Sequence, residues 1–434
     1  MIAAALTFPQ RRGACPGLSA PMATGDGLLV RLLPIGTIAL DAFAALCAAA
    51  RQHGNGVIEV TSRGSIQIRG LSAATAPRFA AAVAALGIAA GDGIPVLTNP
   101  LAGLDAEDTI DAGALAADLR RALAQRALAS RLSAKVSVAI DGGGSLSLDG
   151  ITADVRLRAE AVEGVAALYV GVGGDGQNAT RLGCVADRDG VEVATRLLDV
   201  LAQRGGVARM RDVVAADGIA VLHSAVADLI IHDGPVRSES QFSDTIGLHP
   251  LRDGTFAYGV GLAFGHADAT SLRRLTEAAK TAGARGMCAA PGRTLMIVGL
   301  TRQTAVSFAA AAEALGFIVR GDDPRRHVVA CAGAPICASA NMAARAIAPQ
   351  IAAAAASYLD GSFKIHISGC AKGCAHPAPA ALTVVGTSLG CALVADGATR
   401  GVPFKIVATN ELPAAVAEIA RGLKREDDRE NRNV

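Results

Sequence analysis

The chain has 434 residues, 51% of them hydrophobic, which is enough material for several real cores. Forty-one basic residues against thirty-nine acidic ones give a formal charge of +2, and only 3% of residues are aromatic, with no Trp; nucleic acid, which needs a basic excess and stacking surface, is excluded as a partner. The alanine-rich runs at 309–312 and 352–356 are too short and too interrupted by charge to cross a bilayer, so no membrane partner is expected.

Residues 1–8 are mildly apolar, lack a preceding basic stretch and run straight into Arg11-Arg12, a pattern unlike a signal peptide that leads us to expect a cytoplasmic protein. Three short motifs follow: Gly13-Ala-Cys-Pro-Gly17, Pro21-Met22 and Gly25-Asp-Gly-Leu-Leu-Val-Arg31. Residues 28–32 are β-rich, 40–53 have helical spacing of Phe43, Leu46 and Cys47, and 57–60 and 66–68 alternate around a turn at Ser62-Arg63-Gly64.

This order returns 229 residues later. Ile66-Gln-Ile-Arg-Gly-Leu71 matches Leu295-Met-Ile-Val-Gly-Leu300, Arg78-Phe-Ala-Ala-Ala-Val-Ala-Ala-Leu-Gly87 matches Ser307-Phe-Ala-Ala-Ala-Ala-Glu-Ala-Leu-Gly316, and Gly54 falls on Gly283. A register held over three landmarks indicates a true repeat. The second copy uses a strand at 256–260, a helix at 271–282 and a turn at Pro291-Gly292. The offset continues beyond this module, since Ser133-Ala-Lys135 falls on Ser362-Phe-Lys364 and the helical run at 114–128 falls roughly on the one at 342–355. Strand–helix–strand–strand units of this kind imply an α+β fold with antiparallel sheets covered by helices.

Between the copies, Gly171-Val-Gly173-Gly-Asp-Gly176 matches G-x-G-x-x-G. A dinucleotide loop should open directly into a helix, yet the next helical pattern starts near Val191. We read this segment as a tight turn instead. The charged tail at 424–434 has no apolar residue before its last, and disorder is expected there.

Nine cysteines without a secretory leader argue for metal or cluster ligation over disulphides. Cys15, Cys47, Cys184, Cys288 and Cys391 stand apart and read as small buried apolar side chains. The other four form Cys331-Ala-Gly-Ala-Pro-Ile-Cys337 and Cys370-Ala-Lys-Gly-Cys374, that is, C-x5-C followed by C-x3-C. Four thiolates are what a 4Fe-4S cube demands, and the five-residue gap exceeds the knuckles of structural zinc sites. Gly333, Pro335, Gly369, Gly373 and Pro377 place both pairs in loops whose backbone N–H groups can reach sulphur. The residues after Cys337 are expected to start a helix whose positive end adds to the field. At the 229-residue offset the four cysteines land on Ala102, Asp108, Asp141 and Ser145, so only the second half can carry the cluster.

The cysteine spacings and the duplication resemble the sulphite and nitrite reductase family, and the three N-terminal motifs, Pro100-Leu-Ala-Gly-Leu-Asp105, Asp141-Gly-Gly-Gly144 and the Ala-Lys-Gly spacer resemble its precorrin-3B synthase branch. The resemblance implies an α+β fold of two tandem pseudo-symmetric halves, each a ferredoxin-like half-domain followed by a nitrite/sulphite reductase-type α/β domain. Expected boundaries are 13–90 and 246–320 for the half-domains, 91–245 for the α/β domain without a cluster, 321–424 for the cluster domain and 425–434 for the tail. It implies a 4Fe-4S cluster on Cys331, Cys337, Cys370 and Cys374, and a mononuclear non-haem iron for which His327, His366 and His376 offer no recognisable ligand spacing. The implied reaction is an oxygen-dependent hydroxylation of precorrin-3A at C20 with γ-lactone formation in aerobic cobalamin biosynthesis. Its electrons come from a reduced nicotinamide donor, directly or through a reductase. Arg31, Arg63, Lys135 and Lys372 are the candidate substrate residues, since bidentate cations suit a carboxylate-rimmed macrocycle. The alternative, a sirohaem-dependent sulphite or nitrite reductase, is weakened by two missing cations: Ser137 stands where the family has a second lysine, and 94–99 lacks its usual arginine.

Overall fold

The computed structural model describes residues 16–91, 93–232 and 244–430, with side chains as far as 425. The first motif's Cys15 and the segment at 1–8 lie outside the described residues. Four sheets follow one another along the chain. The first module contains β1 (Met22–Thr24), β2 (Gly27–Leu32), β3 (Ile38–Ala39), α1 (Leu40–His53), β4 (Val57–Val60), β5 (Ile66–Leu71) and α2 (Ala76–Ala85). The second contains β6 (Val96–Thr98), α3 (Ala112–Gln125), β7 (Val138–Asp141), β8 (Ala153–Val162), β9 (Val165–Gly174), β10 (Thr180–Ala186), α4 (Gly190–Gln203), α5 (Met210–Asp217), α6 (Ala220–Val226) and β11 (Ile230–His232). The third repeats the first with β12 (Gly247–Pro250), β13 (Phe256–Gly261), β14 (His266–Asp268), α7 (Ala269–Thr281), β15 (Gly286–Ala290), β16 (Thr294–Leu300) and α8 (Arg302–Ala314). The fourth contains β17 (Val328–Ala330), α9 (Ala344–Ala354), β18 (Ile365–Ser368), β19 (Ala380–Thr387), β20 (Gly390–Gly397), β21 (Lys405–Val407) and α10 (Leu412–Glu430).

The duplication is plain in the strand orders. The first sheet runs β1-β2-β5-β4-β14 and the third β12-β13-β16-β15-β3. Each thus takes its last edge strand from the other copy, with His266 opposite Glu59 and Ile38 opposite Met287. This exchange fuses the two half-domains into one core in which Phe43, Phe79 and Ile58 of one copy join Leu272, Phe308 and Ile297 of the other. The α/β sheets also correspond. Parallel β6–β7–β8 continue as antiparallel β9 and β10, and parallel β17–β18–β19 continue as antiparallel β20 and β21.

Packing between the halves is crossed. The third sheet lays Cys288, Met296 and Val298 against Leu101 and Leu146 of the first α/β domain. The first sheet instead meets the cysteine loops, where Ala338 N–H donates to Gly25 O at 2.8 Å.

Two expectations are corrected. The tail at 425–430 is not disordered but completes α10. Leu412, Val416 and Ala420 bury one face of that helix, Lys424 pairs with Asp360 at 2.7 Å, and the Arg and Glu residues among those that follow are good helix formers. The end of the tail lies outside the described residues. Nor does a helix start at Cys337: α9 begins only at Ala344, because the intervening backbone turns to bind the opposite loop, with Asn341 N–H donating to Gly369 O at 2.7 Å. The glycine-rich segment at 171–176 ends β9 and turns into β10, as its context implied.

Candidate functional site

β17 and β18 are parallel neighbours, so the loops leaving their C-terminal ends emerge side by side. Those loops carry Cys331 and Cys337, and Cys370 and Cys374. Cys331 is held from both sides: its N–H donates to Ile367 O at 3.1 Å, and Gly369 N–H donates to its Sγ at 3.1 Å. Glycine is required at the crossings. A Cβ at Gly369 would sit 2.7 Å from that of Ala340, and Gly373 has φ +64 with Thr399 Oγ1 pressed against it. Gly25, in the turn between β1 and β2, is seated on Cys337, and a Cβ there would lie 2.3 Å from the sulphur.

The four thiols share one electrostatic neighbourhood. Burial raises Cys331, and the neighbouring Cys370 and Cys337 raise it further, while Gly369 and Gly333 N–H groups pull the other way. Burial also raises Cys374, followed by Cys331, Cys370 and Cys337, with Arg69 opposing. Thiols raised in this way, as Cys331 and Cys374 are, ionise readily only around compensating positive charge, and N–H donors aimed at sulphur suit a cluster bearing net negative charge. Among the described residues no three His, Cys, Asp or Glu side chains converge closely enough to share a single metal ion. A tetrahedral zinc site, whose sulphurs stand only about 3.8 Å apart, is therefore not preformed here. The Gly369 N–H aimed at Cys331 Sγ and the glycines at the loop crossings suit a polynuclear centre on these thiols, and among the described residues a separate mononuclear iron finds no ligand triad.

Beside the cysteines lies a polar ladder that composition and spacing did not reveal. Arg31, Gln67, Glu59 and His266 stand in register across β2, β5, β4 and β14. With its amide oriented to satisfy both neighbours, Gln67 accepts from Arg31 Nη2 at 2.8 Å and donates to Glu59 at 3.2 Å. Arg69 donates to both oxygens of Asp26 at 2.8 Å and reaches Glu59 at 3.4 Å, while Arg345, from the first turn of α9, approaches Glu59 at 3.6 Å. Burial alone would raise Asp26, yet its bonds to Arg69 and Thr24 hold it below the usual carboxylate range. Asp26 between Gly25 and Gly27 was the sequence signal for this lock. Glu59 and Arg345 gave none.

The candidate substrate residues are not all alike. Arg31 belongs to the ladder, and Arg63 sits in the exposed turn that bridges to Pro291 of the second copy. Lys135 is exposed just before β7. Lys372 donates to Ser339 Oγ at 2.8 Å and so ties the two cysteine loops together from outside. Ser137, at the missing lysine position, is buried with only 1% of its surface exposed.

In the first half the place of the cysteine loops is filled by a carboxylate knot. Asn99 follows β6 as Cys331 follows β17, and it donates to Asp141 at 3.0 Å and to Leu146 O. Asp105 accepts from Ser145 N–H and Oγ at 2.9 and 2.6 Å. Burial and then, after the opposing Gly103 N–H, the charge of Asp105 push Asp108 up to about 6.

Comparison with known proteins agrees with this geometry. Residues 20–86 match the nitrite/sulphite reductase ferredoxin-like half domain. A precorrin-3B synthase of Sinorhizobium sp. is 37% identical over 419 residues, covering 96% of this chain and 90% of that protein. A ferredoxin–nitrite reductase of Synechococcus elongatus is 23% identical, with 85% of this chain and 78% of that protein covered. The structure of the Mycobacterium tuberculosis NirA protein superposes with a TM-score of 0.71 at 20% identity, over 92% of this chain and 81% of the other.

Proposed function

Because the chain belongs to the precorrin-3B synthase family, whose fold it shares with nitrite and sulphite reductases, we propose that it is the oxygen-dependent enzyme that hydroxylates precorrin-3A at C20 and closes a γ-lactone. The overall change inserts one oxygen atom of dioxygen into the macrocycle and reduces the other to water with two electrons from a nicotinamide donor. A 4Fe-4S cluster held by Cys331, Cys337, Cys370 and Cys374, when bound, supplies single-electron transfer. Gly369 and Gly333 N–H groups neutralise part of the thiolate charge, Gly25 leaves room for Cys337, and Lys372 fastens the loops over them.

The observation that carries this reading over the reductase alternative is the fate of the cation clamp. A small oxyanion needs several converging cations to bind and protonate it. Here one lysine position is the buried Ser137, and the stretch at 94–99, which lacks the family's usual arginine, ends in the Asn99 knot. Arg31, Arg63 and Lys135 remain, and each suits a carboxylate on a macrocycle rim; Gln67 and Glu59 orient Arg31 toward that task. No step is assigned to a mononuclear iron.

An anaerobic preparation examined by visible absorption, iron and sulphide analysis tests the assignment. Cluster absorption without a sirohaem Soret band is expected. A stoichiometric sirohaem together with nitrite or sulphite turnover would replace this reading with the reductase one.

A further inference from the structure

Arg345 puts a cation where helical electrostatics oppose one. It is the second residue of α9, and the first turn of a helix carries the positive end of its dipole, which disfavours arginine there. The side chain is also largely withdrawn from water, with 20% of its surface exposed. Two of its nitrogens, Nε and Nη2, are buried and have no hydrogen-bond partner among the described residues. A cation held in this way calls for negative charge close by.

The protein supplies that charge only in part. Glu59 lies 3.6 Å from Arg345 Nη2, longer than a hydrogen bond, and is shared with Arg69 at 3.4 Å. Asp26 is taken up by Arg69, which donates to both its oxygens at 2.8 Å. His266, opposite Glu59 across the strand pair, stays neutral, because burial, with Arg345 adding to it, lowers it to about 3; it leaves Glu59 to the two arginines. Beside Arg345 there remain the cysteine loops, and contacts reach them from both directions. Ala344, its neighbour in α9, packs so tightly on Gly333, between Cys331 and Cys337, that a Cβ at that glycine would lie 2.4 Å from the Ala344 nitrogen. On the other side, Glu59 leads through Arg69 and Asp26 to Gly25, whose Cβ would lie 2.3 Å from Cys337 Sγ. The guanidinium thus lies within a ring of contacts that starts and ends on the loop of two cluster ligands, and it feels the charge of Cys331 as well.

We infer that Arg345 is the cation that offsets the negative charge of the cluster, and that Glu59 partly neutralises it, so that this pair sets the cluster's reduction potential. This inference rests on the cluster assignment above and adds to it the residues that tune the centre. A fixed positive charge stabilises the reduced, more negative cluster and raises its potential, and the carboxylate works against it. Glu59 is also the residue that Gln67 joins to Arg31, at 3.2 and 2.8 Å, so the charges that tune the cluster are continuous with the ladder that reaches a substrate residue.

The test is the midpoint potential of the cluster-loaded full chain, titrated anaerobically with dithionite and followed by the paramagnetic resonance of the reduced centre. Arg345→Gln should shift the reduction equilibrium about tenfold toward the oxidised form, which for a one-electron couple lowers the potential by about 59 mV. Glu59→Gln should move it the opposite way, and Arg345→Lys, which keeps the charge, should stay near wild type. A side chain that only braced the fold would not reverse the sign between the first two variants. If Arg345→Gln fails to retain iron, Glu59→Gln decides alone, and a potential at or below that of wild type overturns the inference. Equal potentials in wild type, Arg345→Gln and Glu59→Gln would likewise overturn the tuning pair and leave the cluster in place. Wild-type chain that takes up no iron and sulphide on reconstitution would overturn the cluster assignment and the tuning pair together.

Discussion

Gly25→Ala should weaken cluster binding without touching a cysteine. The added methyl would sit 2.3 Å from Cys337 Sγ, with Ser339 Oγ at 3.2 Å and Ser339 N at 3.3 Å closing the ways round it. Carbon needs about 3.5 Å from such neighbours, so the overlap exceeds roughly 1 Å. The turn cannot lift away freely, because Gly25 O accepts from Ala338 N–H at 2.8 Å and Asp26 is locked to Arg69. The thiol must rotate out instead. Overpacking of this kind costs about 1–3 kcal/mol, which corresponds to a loss of about 5- to 150-fold in cluster affinity. Iron and sulphide per chain after anaerobic reconstitution measure it, with Gly17→Ala as control, since nothing lies within 4 Å of a Cβ there. Full iron content in Gly25→Ala would refute the placement of this turn on a cluster ligand.

Asp26→Ala leaves the buried Arg69 guanidinium with the longer Glu59 contact alone and should destabilise the fold by up to about 3 kcal/mol in denaturant titration; a loss under about 1 kcal/mol would mean that the Asp26–Arg69 lock carries little. Burial, with His376 and Arg293 adding to it, lowers His366 to about 4 from 6.5. The unfolded chain then binds the extra proton first, so stability is full above pH 6.5 and falls by up to about 3 kcal/mol as the pH drops toward 4. Ligand-free His366→Gln should lose that slope, and parallel curves for the two proteins would contradict it. Cys370→Ala should abolish cluster binding, whereas Cys47→Ala, in the half-domain core and pushed up to about 12 by burial, should leave iron content intact. Equal iron in both variants would remove the ligand assignment.

Much of this was legible in the sequence because the repeat preserves local periodicity. The helix at Leu40–His53 and the strand at Val57–Val60 are where Phe43, Leu46 and the alternation around Ser62-Arg63-Gly64 put them. The edge exchange of β3 and β14 was not legible, since two- and three-residue strands carry no period and their partners lie more than two hundred residues away. The cysteines announced themselves by spacing. The ladder through Glu59 and Arg345 could not, because each is an ordinary charged residue until the first sheet is pressed against the cluster loops. The tail misled because charge without apolar residues reads as disorder, although the preceding turns of α10 bury Val416 and Ala420 and carry the helix onward.

Incubation of the cluster-loaded enzyme with precorrin-3A, a reducing system and isotopically labelled dioxygen addresses the central claim most directly. Mass spectrometry should find a hydroxylated lactone carrying one labelled oxygen atom. Unchanged precorrin-3A, with sulphite or nitrite reduced by the same preparation, would contradict the account.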